Sequence, residues 1–206
     1  MGLRERRQKE KDQRKKQILD AARSVLYENG LAGASITRIA GLAELGVGTI
    51  YSYYQNKEEI FIALQQEGLK LLCAKLKAID AAMTAPVEKL KQYAAAYLDF
   101  SRNNREYFDI INYFLTSPEV MFPKPLKDRI DSHGNNILQI VAGTIEDGIG
   151  AGLFADLDAA RYAMILWGTL HGMLQFRKMQ NTMLKGVNYE HLYEQSVENF
   201  IRGLYL

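Results

Sequence analysis

Apolar residues recur every three or four positions along most of the chain, which is the spacing of one face of an α-helix. This pattern predicts helices over about residues 12–29, 56–82, 87–103, 106–115, 126–148, 158–180 and 188–206. Only four prolines interrupt the 206 residues, and 48% of the residues are hydrophobic, which is enough for a substantial core. No alternating run of β-branched residues predicts a strand. The sequence therefore predicts an all-α protein.

Two shorter apolar patterns lie between the first two of these helices. Ser35 can cap the first, whose apolar residues have helical spacing: Ile36, Ile39, Ala40 and Ala43. The second helix would pack back on the first through Leu45, Ile50 and Tyr54. Its opposite side is small, polar or aromatic, without charge: Gly48, Thr49, Tyr51 and Ser52. Such a pair is typical of a helix-turn-helix, although any small α-helical domain can hold two short helices at an angle.

The residues of this segment resemble those of the TetR family of transcriptional regulators. In that family the first short helix ends in Ile-Ala, here Ile39-Ala40. The second follows a motif that this chain matches without a gap from Gly48 to Tyr54 and at Lys57-Glu58. Residues 14–30, RKKQILDAARSVLYENG, also resemble the family's first helix.

The turn departs from the family pattern at two positions. Glu44 stands where the family usually has a glycine with positive φ, and a glutamate there should cost about 1 kcal/mol. Gly46 stands where a serine or threonine usually caps the recognition helix. These differences bear on the geometry of the turn and leave its identity unchanged.

The resemblance implies a three-helix DNA-binding head over residues 1–56 and a larger helical domain over residues 57–206 that binds an effector and dimerises. It implies DNA contacts from these residues: Ser35, Thr37, Val47, Gly48, Thr49, Tyr51, Ser52, Tyr53 and Lys57. Lys57 follows a predicted capping box of Asn56 and Glu59. The start of that helix and Lys57 could therefore face one DNA phosphate together.

Charge is concentrated at the amino-terminal end. Residues 1–16 contain eight basic and three acidic side chains, whereas the whole chain has a net charge of only +2. A basic segment on a nearly neutral body is typical of a chain that meets a polyanion, although a solvated charged tail would look the same. No apolar run is long enough to span a membrane, and the amino-terminal segment is charged, so we expect a cytoplasmic protein.

The last two predicted helices are unusually apolar. In the TetR family they pair with their copies in a second subunit, which implies a homodimer. The expected interface residues are Tyr162, Leu166, Leu170, Val197, Phe200, Ile201 and Leu204. The alternative is that these helices cover only the core of their own chain.

Aromatic residues cluster in the middle of the chain and could enclose an effector. With residues of a later helix, the expected lining is Tyr93, Tyr97, Phe100, Tyr107, Phe108, Ile111, Phe114, Met121, Phe122, Trp167, His171 and Phe176. Such a lining favours a small apolar or aromatic effector with one polar end over a sugar or a phosphate. The family favours a repressor. The alternatives are an activator or architectural DNA-binding protein without an effector.

No pattern predicts an enzyme, a metal site or a cofactor. Cys73 is the only cysteine, which excludes an internal disulfide and a zinc cluster, and the three histidines lack metal-ligand spacing. Gly148, Gly150 and Gly152 form a GxGxG run, but it follows a helix and has no accompanying GK[ST]. We therefore interpret it as a helix end and turn.

Overall fold

A computed structural model describes residues 2–116 and 124–205. Within these residues every regular element is helical, which confirms the all-α prediction. The helices are α1 Leu3–Gly33, α2 Ile36–Leu42, α3 Val47–Tyr51, α4 Lys57–Asp80, α5 Pro86–Asn103, α6 Arg105–Thr116, α7 Lys124–Gly150, α8 Ala159–Phe176 and α9 Tyr189–Arg202, with one 3₁₀ turn at Arg177–Met179.

The helices follow the predicted order, and most bounds differ from the predicted ones by only a few residues. The largest difference is at α1, which begins at Leu3 instead of residue 12. No proline or glycine interrupts residues 3–12, so the polar segment can continue the helix. The predicted stop at Gly30 is a break within α1, where φ is 64° and ψ is −178° before the helix resumes to Gly33.

The chain divides into two compact units. The first comprises Met1–Gly68 and Asn104–Leu126, and the second comprises Leu69–Asn103 and Lys127–Leu206. The first unit therefore includes α6 together with α1, α2, α3 and the start of α4. Its core is formed by fully buried side chains of these helices: Ile18, Ala22, Ile39, Ile50, Ile60, Phe61, Leu64 and Ile110.

The second unit packs the end of α4 with α5, α7, α8 and α9. Its buried residues recur at helical spacing in each element, including Leu90, Tyr93, Tyr97, Phe100, Ile145, Leu166, Leu170, Tyr189, Tyr193, Val197 and Ile201. The glycine-rich run lies at the end of α7, as the sequence predicts. A Cβ at Gly148 would lie only 2.2 Å from the Phe154 ring, so close packing accounts for the glycine there.

Among the described residues, no helix combines the length and the apolar character that crossing a membrane requires.

Candidate functional site

The turn between α2 and α3 is held by local interactions on both sides. The Ser35 hydroxyl accepts the Arg38 N–H at 3.3 Å and caps α2. Glu44 then takes φ 52°, and it is the one described residue other than glycine with positive φ. This confirms the conformation expected at the position where a glycine is usual. Gly46 caps α3 without a side-chain hydrogen bond, which is a few tenths of a kcal/mol worse than a serine.

This turn gives α3 one buried side and one accessible side. Ile50 and Tyr54 are buried, together with Ile39 and Ala40 of α2. The opposite side is uncharged and exposed: Val47, Gly48, Thr49, Tyr51 and Ser52. Val47 is 39% exposed and Tyr51 is 51% exposed, so this side presents contact area and hydroxyl groups to a partner.

The four other predicted DNA-contact residues also lie at the surface. Ser35 and Thr37 are exposed at the start of α2, and Tyr53 and Lys57 are half-buried. The nine residues therefore come from α2 and its N-cap, from α3 and the two residues after it, and from the first residue of α4, all within the first unit.

The start of α4 has half of the predicted capping box. Asn56 Oδ1 accepts the Glu59 N–H at 2.9 Å, but the Glu59 carboxylate accepts the N–H of Gln55 at 2.8 Å instead of that of Asn56. Lys57 Nζ lies 5.6 Å from the centroid of the Phe61 ring, within the range of a cation–π contact. A cation beside a helix start is suited to hold an anionic group such as a phosphate.

A small apolar cavity of about 30 Å³ lies in the second unit. It is lined by side chains of α4, α5, α7 and α8: Leu72, Leu76, Tyr93, Tyr97, Ile137, Leu138, Val141, Ala163, Leu166, Trp167 and Leu170. Three of these, Tyr93, Tyr97 and Trp167, were expected from the sequence. The volume is about that of one water molecule.

Two hydrogen-bonded clusters of polar side chains adjoin this lining, one at Tyr97 and one at Tyr93. The Tyr97 hydroxyl lies 2.9 Å from Nδ1 of His171, whose Nε2 is 3.3 Å from the Gln175 amide nitrogen. Burial lowers the pKa of His171, so the neutral ring is favoured. At the other edge, the Tyr93 hydroxyl lies 2.9 Å from Thr144 Oγ1 and 3.2 Å from Asp80, and burial raises the pKa of Tyr93 to about 12.

The other expected effector residues lie elsewhere. Phe100 is fully buried, and Phe176 is exposed. Four belong to α6 in the first unit and are not part of this lining: Tyr107, Phe108, Ile111 and Phe114. Met121 and Phe122 lie outside the described residues.

Most of the lining is aliphatic, which is why reasoning from the aromatic residues missed it. Leu72 and Leu76 stand four residues apart on α4, a spacing that could have indicated one shared face. Ile137 and Val141 have the same spacing on α7, and Leu166 and Leu170 have it on α8.

The apolar surface of α8 differs from the expected dimer interface. Of the seven expected residues, five are buried within their own chain: Leu166, Leu170, Val197, Ile201 and Leu204. Tyr162 and Phe200 are half-buried, with ring centroids 6.2 Å apart. Met164 and Ile165, which were not expected, are 59% and 51% exposed. The accessible apolar area therefore comprises Met164 and Ile165 together with the half-buried Tyr162 and Phe200.

Two family models match the chain. Residues 18–64 match "Bacterial regulatory proteins, tetR family", and residues 90–200 match "Tetracyclin repressor-like, C-terminal domain". The second alone covers more than half of the chain.

Individual relatives show the same likeness. The "Fatty acid metabolism regulator protein" of Bacillus subtilis is 26% identical over 79% of this chain and 82% of that protein. The "Uncharacterized HTH-type transcriptional regulator YhgD" of the same organism is 30% identical over 74% of this chain and 78% of that protein. The crystal structure of the transcriptional regulator FadR from Bacillus subtilis in complex with stearoyl-CoA superposes with a TM-score of 0.74 at 23% identity, covering 91% of this chain and 97% of that one.

Proposed function

The chain belongs to the TetR family of bacterial transcriptional regulators and is therefore not an enzyme, and from this premise we propose that it is an effector-responsive repressor. In this proposal it binds a palindromic operator as a homodimer in the cytoplasm. An acyl-coenzyme A thioester is the effector that releases it. The observation that carries the DNA-binding part is the exposed, uncharged side of α3, which the turn at Glu44 presents.

The nine surface residues of the head divide into two roles in this proposal. Val47 and the methyl group of Thr49 contact thymine methyl groups in the major groove, and Gly48 lets the helix backbone approach the bases. The hydroxyl groups and the lysine hold phosphates and thereby fix the position of the head: Ser35, Thr37, Tyr51, Ser52, Tyr53 and Lys57.

Dimerisation is supported by the outward apolar surface of α8 and α9. Exposed Met164 and Ile165, with half-buried Tyr162 and Phe200, would leave water if a second copy covered them. A two-fold dimer places two recognition helices about 34–36 Å apart when they enter successive major grooves on one face of the duplex. The operator would then be a near-palindrome.

The effector class is supported by the cavity and by the relatives. Fatty acid metabolism is named for a similar Bacillus subtilis regulator, and stearoyl-CoA is named for a similar solved structure from the same organism. Here the lining is almost wholly apolar, with the Tyr97–His171 pair at one edge. We propose that the acyl chain enters this lining and that the pair orients its carbonyl group. The apolar effector expected from the sequence corresponds to this acyl part, while the phosphates of coenzyme A stay outside the lining.

Because the cavity is small, effector binding must move the helices around it, and one of these helices also carries a DNA contact. About 30 Å³ cannot hold an acyl chain, so binding requires the lining helices to move apart. Leu72 and Leu76 of the lining belong to α4, the helix that begins at Lys57. Displacement of α4 would therefore move a phosphate contact. A hundredfold loss of operator affinity requires a coupling free energy of about 2.7 kcal/mol.

The test combines operator selection with an acyl-chain series. A duplex selected from random sequence should be near-palindromic, and its anisotropy should fall when an acyl-CoA of suitable chain length is added. Coenzyme A alone is the control and should leave the complex intact. Trp167 is the only tryptophan and lines the cavity, so its fluorescence should shift with the same acyl-CoA.

A matched pair of variants tests where the effector binds. Ala163→Leu fills the buried lining and should keep operator binding while abolishing release. Ala95→Leu, at an exposed position of α5 outside the proposed dimer surface, should respond as the wild type does. If no acyl-CoA changes DNA affinity or Trp167 fluorescence, the alternative of a DNA-binding protein without such an effector is favoured. If the effector strengthens DNA binding, the proposal that it releases the repressor from the operator is wrong.

A further inference from the structure

The first four turns of α1 carry a row of basic side chains in line with the helix's buried face. Residues three or four positions apart share one face of a helix. Along one such line, α1 presents four basic residues and then residues of the core, Ile18, Ala22 and Val25. The four are Arg4, Arg7, Lys11 and Lys15, here named the basic stripe.

No described residue of the first unit covers most of this stripe. Residues 4–14 are all exposed, and the first buried residue of α1 is Ile18. Gln17 Nε2 donates to the Ala43 carbonyl at 2.7 Å, so the packed part of α1 begins beside the turn that leads into α3. From Arg4 to Gln17 the helix rises about 20 Å. The stripe therefore extends past this turn, on the side of α1 that faces the core.

The acidic residues of this segment lie off the stripe. Glu5 accepts the Gly2 N–H at 2.9 Å, Glu10 pairs with Arg6 at 3.3 Å, and Asp12 accepts from Gln8 at 2.9 Å. Among the described residues, none forms an ion pair with a side chain of the stripe.

This arrangement is electrostatically unfavourable in the free protein. Like charges four residues apart repel, and cations near a helix start oppose the helix dipole. An external polyanion would remove both effects. The charge is arranged along a line, which suits a linear array of phosphates better than a single anion.

We propose that the basic stripe binds phosphates of the duplex that flanks each operator half-site. This inference rests on the proposed function, because α3 brings the DNA to the head. Arg4 and Lys15 are about 16 Å apart along the helix, and each strand carries about five phosphates over that length of duplex. Such contacts add affinity that depends on salt and reads no sequence.

The experiment compares two triple variants of the full chain with the same change in charge. The stripe variant is Arg4→Gln, Arg7→Gln and Lys11→Gln. The control variant is Arg6→Gln, Lys9→Gln and Lys16→Gln, whose positions lie on other sides of α1. Glutamine has a helix propensity close to that of lysine and arginine, so equal circular dichroism spectra would establish that both variants keep the helix.

Affinity is measured against salt on the selected operator with and without about 10 flanking base pairs on each side, one turn of duplex. Loss of three phosphate contacts should lower the salt slope of the stripe variant by about 2.7 per bound protomer. Between 50 and 200 mM salt the wild type should therefore lose about 40-fold more affinity per protomer than the stripe variant. The difference should appear only on the longer duplex, and the control variant should retain most of the wild-type slope.

Equal slopes for the two variants on the longer duplex would overturn the inference and leave the proposed function intact. A wild-type protein that binds no duplex would overturn both. Vesicles containing phosphatidylglycerol provide the remaining comparison. If the stripe variant loses vesicle binding but keeps the control variant's salt slope on DNA, the stripe serves a lipid surface and the inference is wrong.

Discussion

The hydroxyl of Tyr107 lies 3.0 Å from Nη1 of Arg23, 84 residues earlier in the chain, and 3.3 Å from a carboxylate oxygen of Glu67. Arg23 donates to the hydroxyl, which donates in turn to Glu67. A Cβ at Gly68 would lie 2.6 Å from the Tyr107 Cβ, so the absence of a side chain there lets α6 approach α4. Tyr107 therefore contacts both α1 and α4 within the first unit.

Tyr107→Phe should lower the free energy of unfolding by about 1 kcal/mol, the usual cost of losing a side-chain hydrogen bond. Burial raises the pKa of Tyr107, consistent with a hydroxyl held away from bulk water. Tyr27→Phe is the control, because Tyr27 is largely exposed. Urea denaturation measures both, and equal stability of the two variants would contradict a structural role for the hydroxyl.

Glu44→Gly should stabilise the protein by up to about 1 kcal/mol, because glycine adopts positive φ without the clash of a Cβ. The greater chain entropy of glycine in the unfolded state offsets part of this gain. Glu44→Gln removes the charge but keeps the backbone strain, so it should leave stability near the wild-type value. Thermal unfolding of the three proteins checks this, and a Gly variant no more stable than the Gln variant would disprove the strain.

Lys57→Ala should weaken DNA binding to a similar extent on all sequences and lower the salt slope by about 1 per protomer. Lys70→Ala provides the comparison, since Lys70 is an exposed lysine on the same helix. The measurement is a salt titration on operator and random duplexes. Loss of affinity on the operator alone would assign Lys57 to base recognition instead of phosphate binding.

Ile165→Glu and Phe200→Glu should each convert a dimer to monomers, because a partner would have to bury the new carboxylate without a counter-charge. Met83→Glu places the same charge at a fully exposed position outside α8 and α9 and should leave the dimer intact. Sedimentation velocity at micromolar concentration distinguishes the two states. A monomeric wild-type protein under these conditions would refute the proposed homodimer.

Stability should fall as the pH drops below about 6.5, and His171 should account for part of the loss. Its pKa is lowered in the folded state, chiefly by burial and then by the charge of Lys178. The stabilisation is therefore present above pH 6.5 and is lost as the pH falls towards the folded pKa. His171→Gln should flatten this dependence, whereas exposed His191→Gln should not. The melting temperature of each protein is measured between pH 5 and pH 8. If it changes with pH to the same extent in all three proteins, this assignment is wrong.

The sequence by itself determined the local structure. Helix order followed from the spacing of apolar residues, because each stripe is set within a few turns of one helix. The Ser35 cap was also predictable, since it depends on a backbone N–H three residues later, whereas the positive φ of Glu44 was expected only from the resemblance to the family. The exposed side of α3 followed in the same way, because burial of Ile50 and Tyr54 turns Gly48, Thr49 and Tyr51 outward.

Only the tertiary structure decided which apolar surfaces meet. Helix α8 is apolar on more than one side, so its sequence could not indicate that Leu166 and Leu170 face their own chain while Ile165 faces outward. Nor could it place Tyr107 against Arg23, or group α6 with the head. The cavity likewise depends on four helices that are distant in sequence. Periodicity identifies a face but not its partner, because the free energy of burial is nearly independent of which apolar surface covers it.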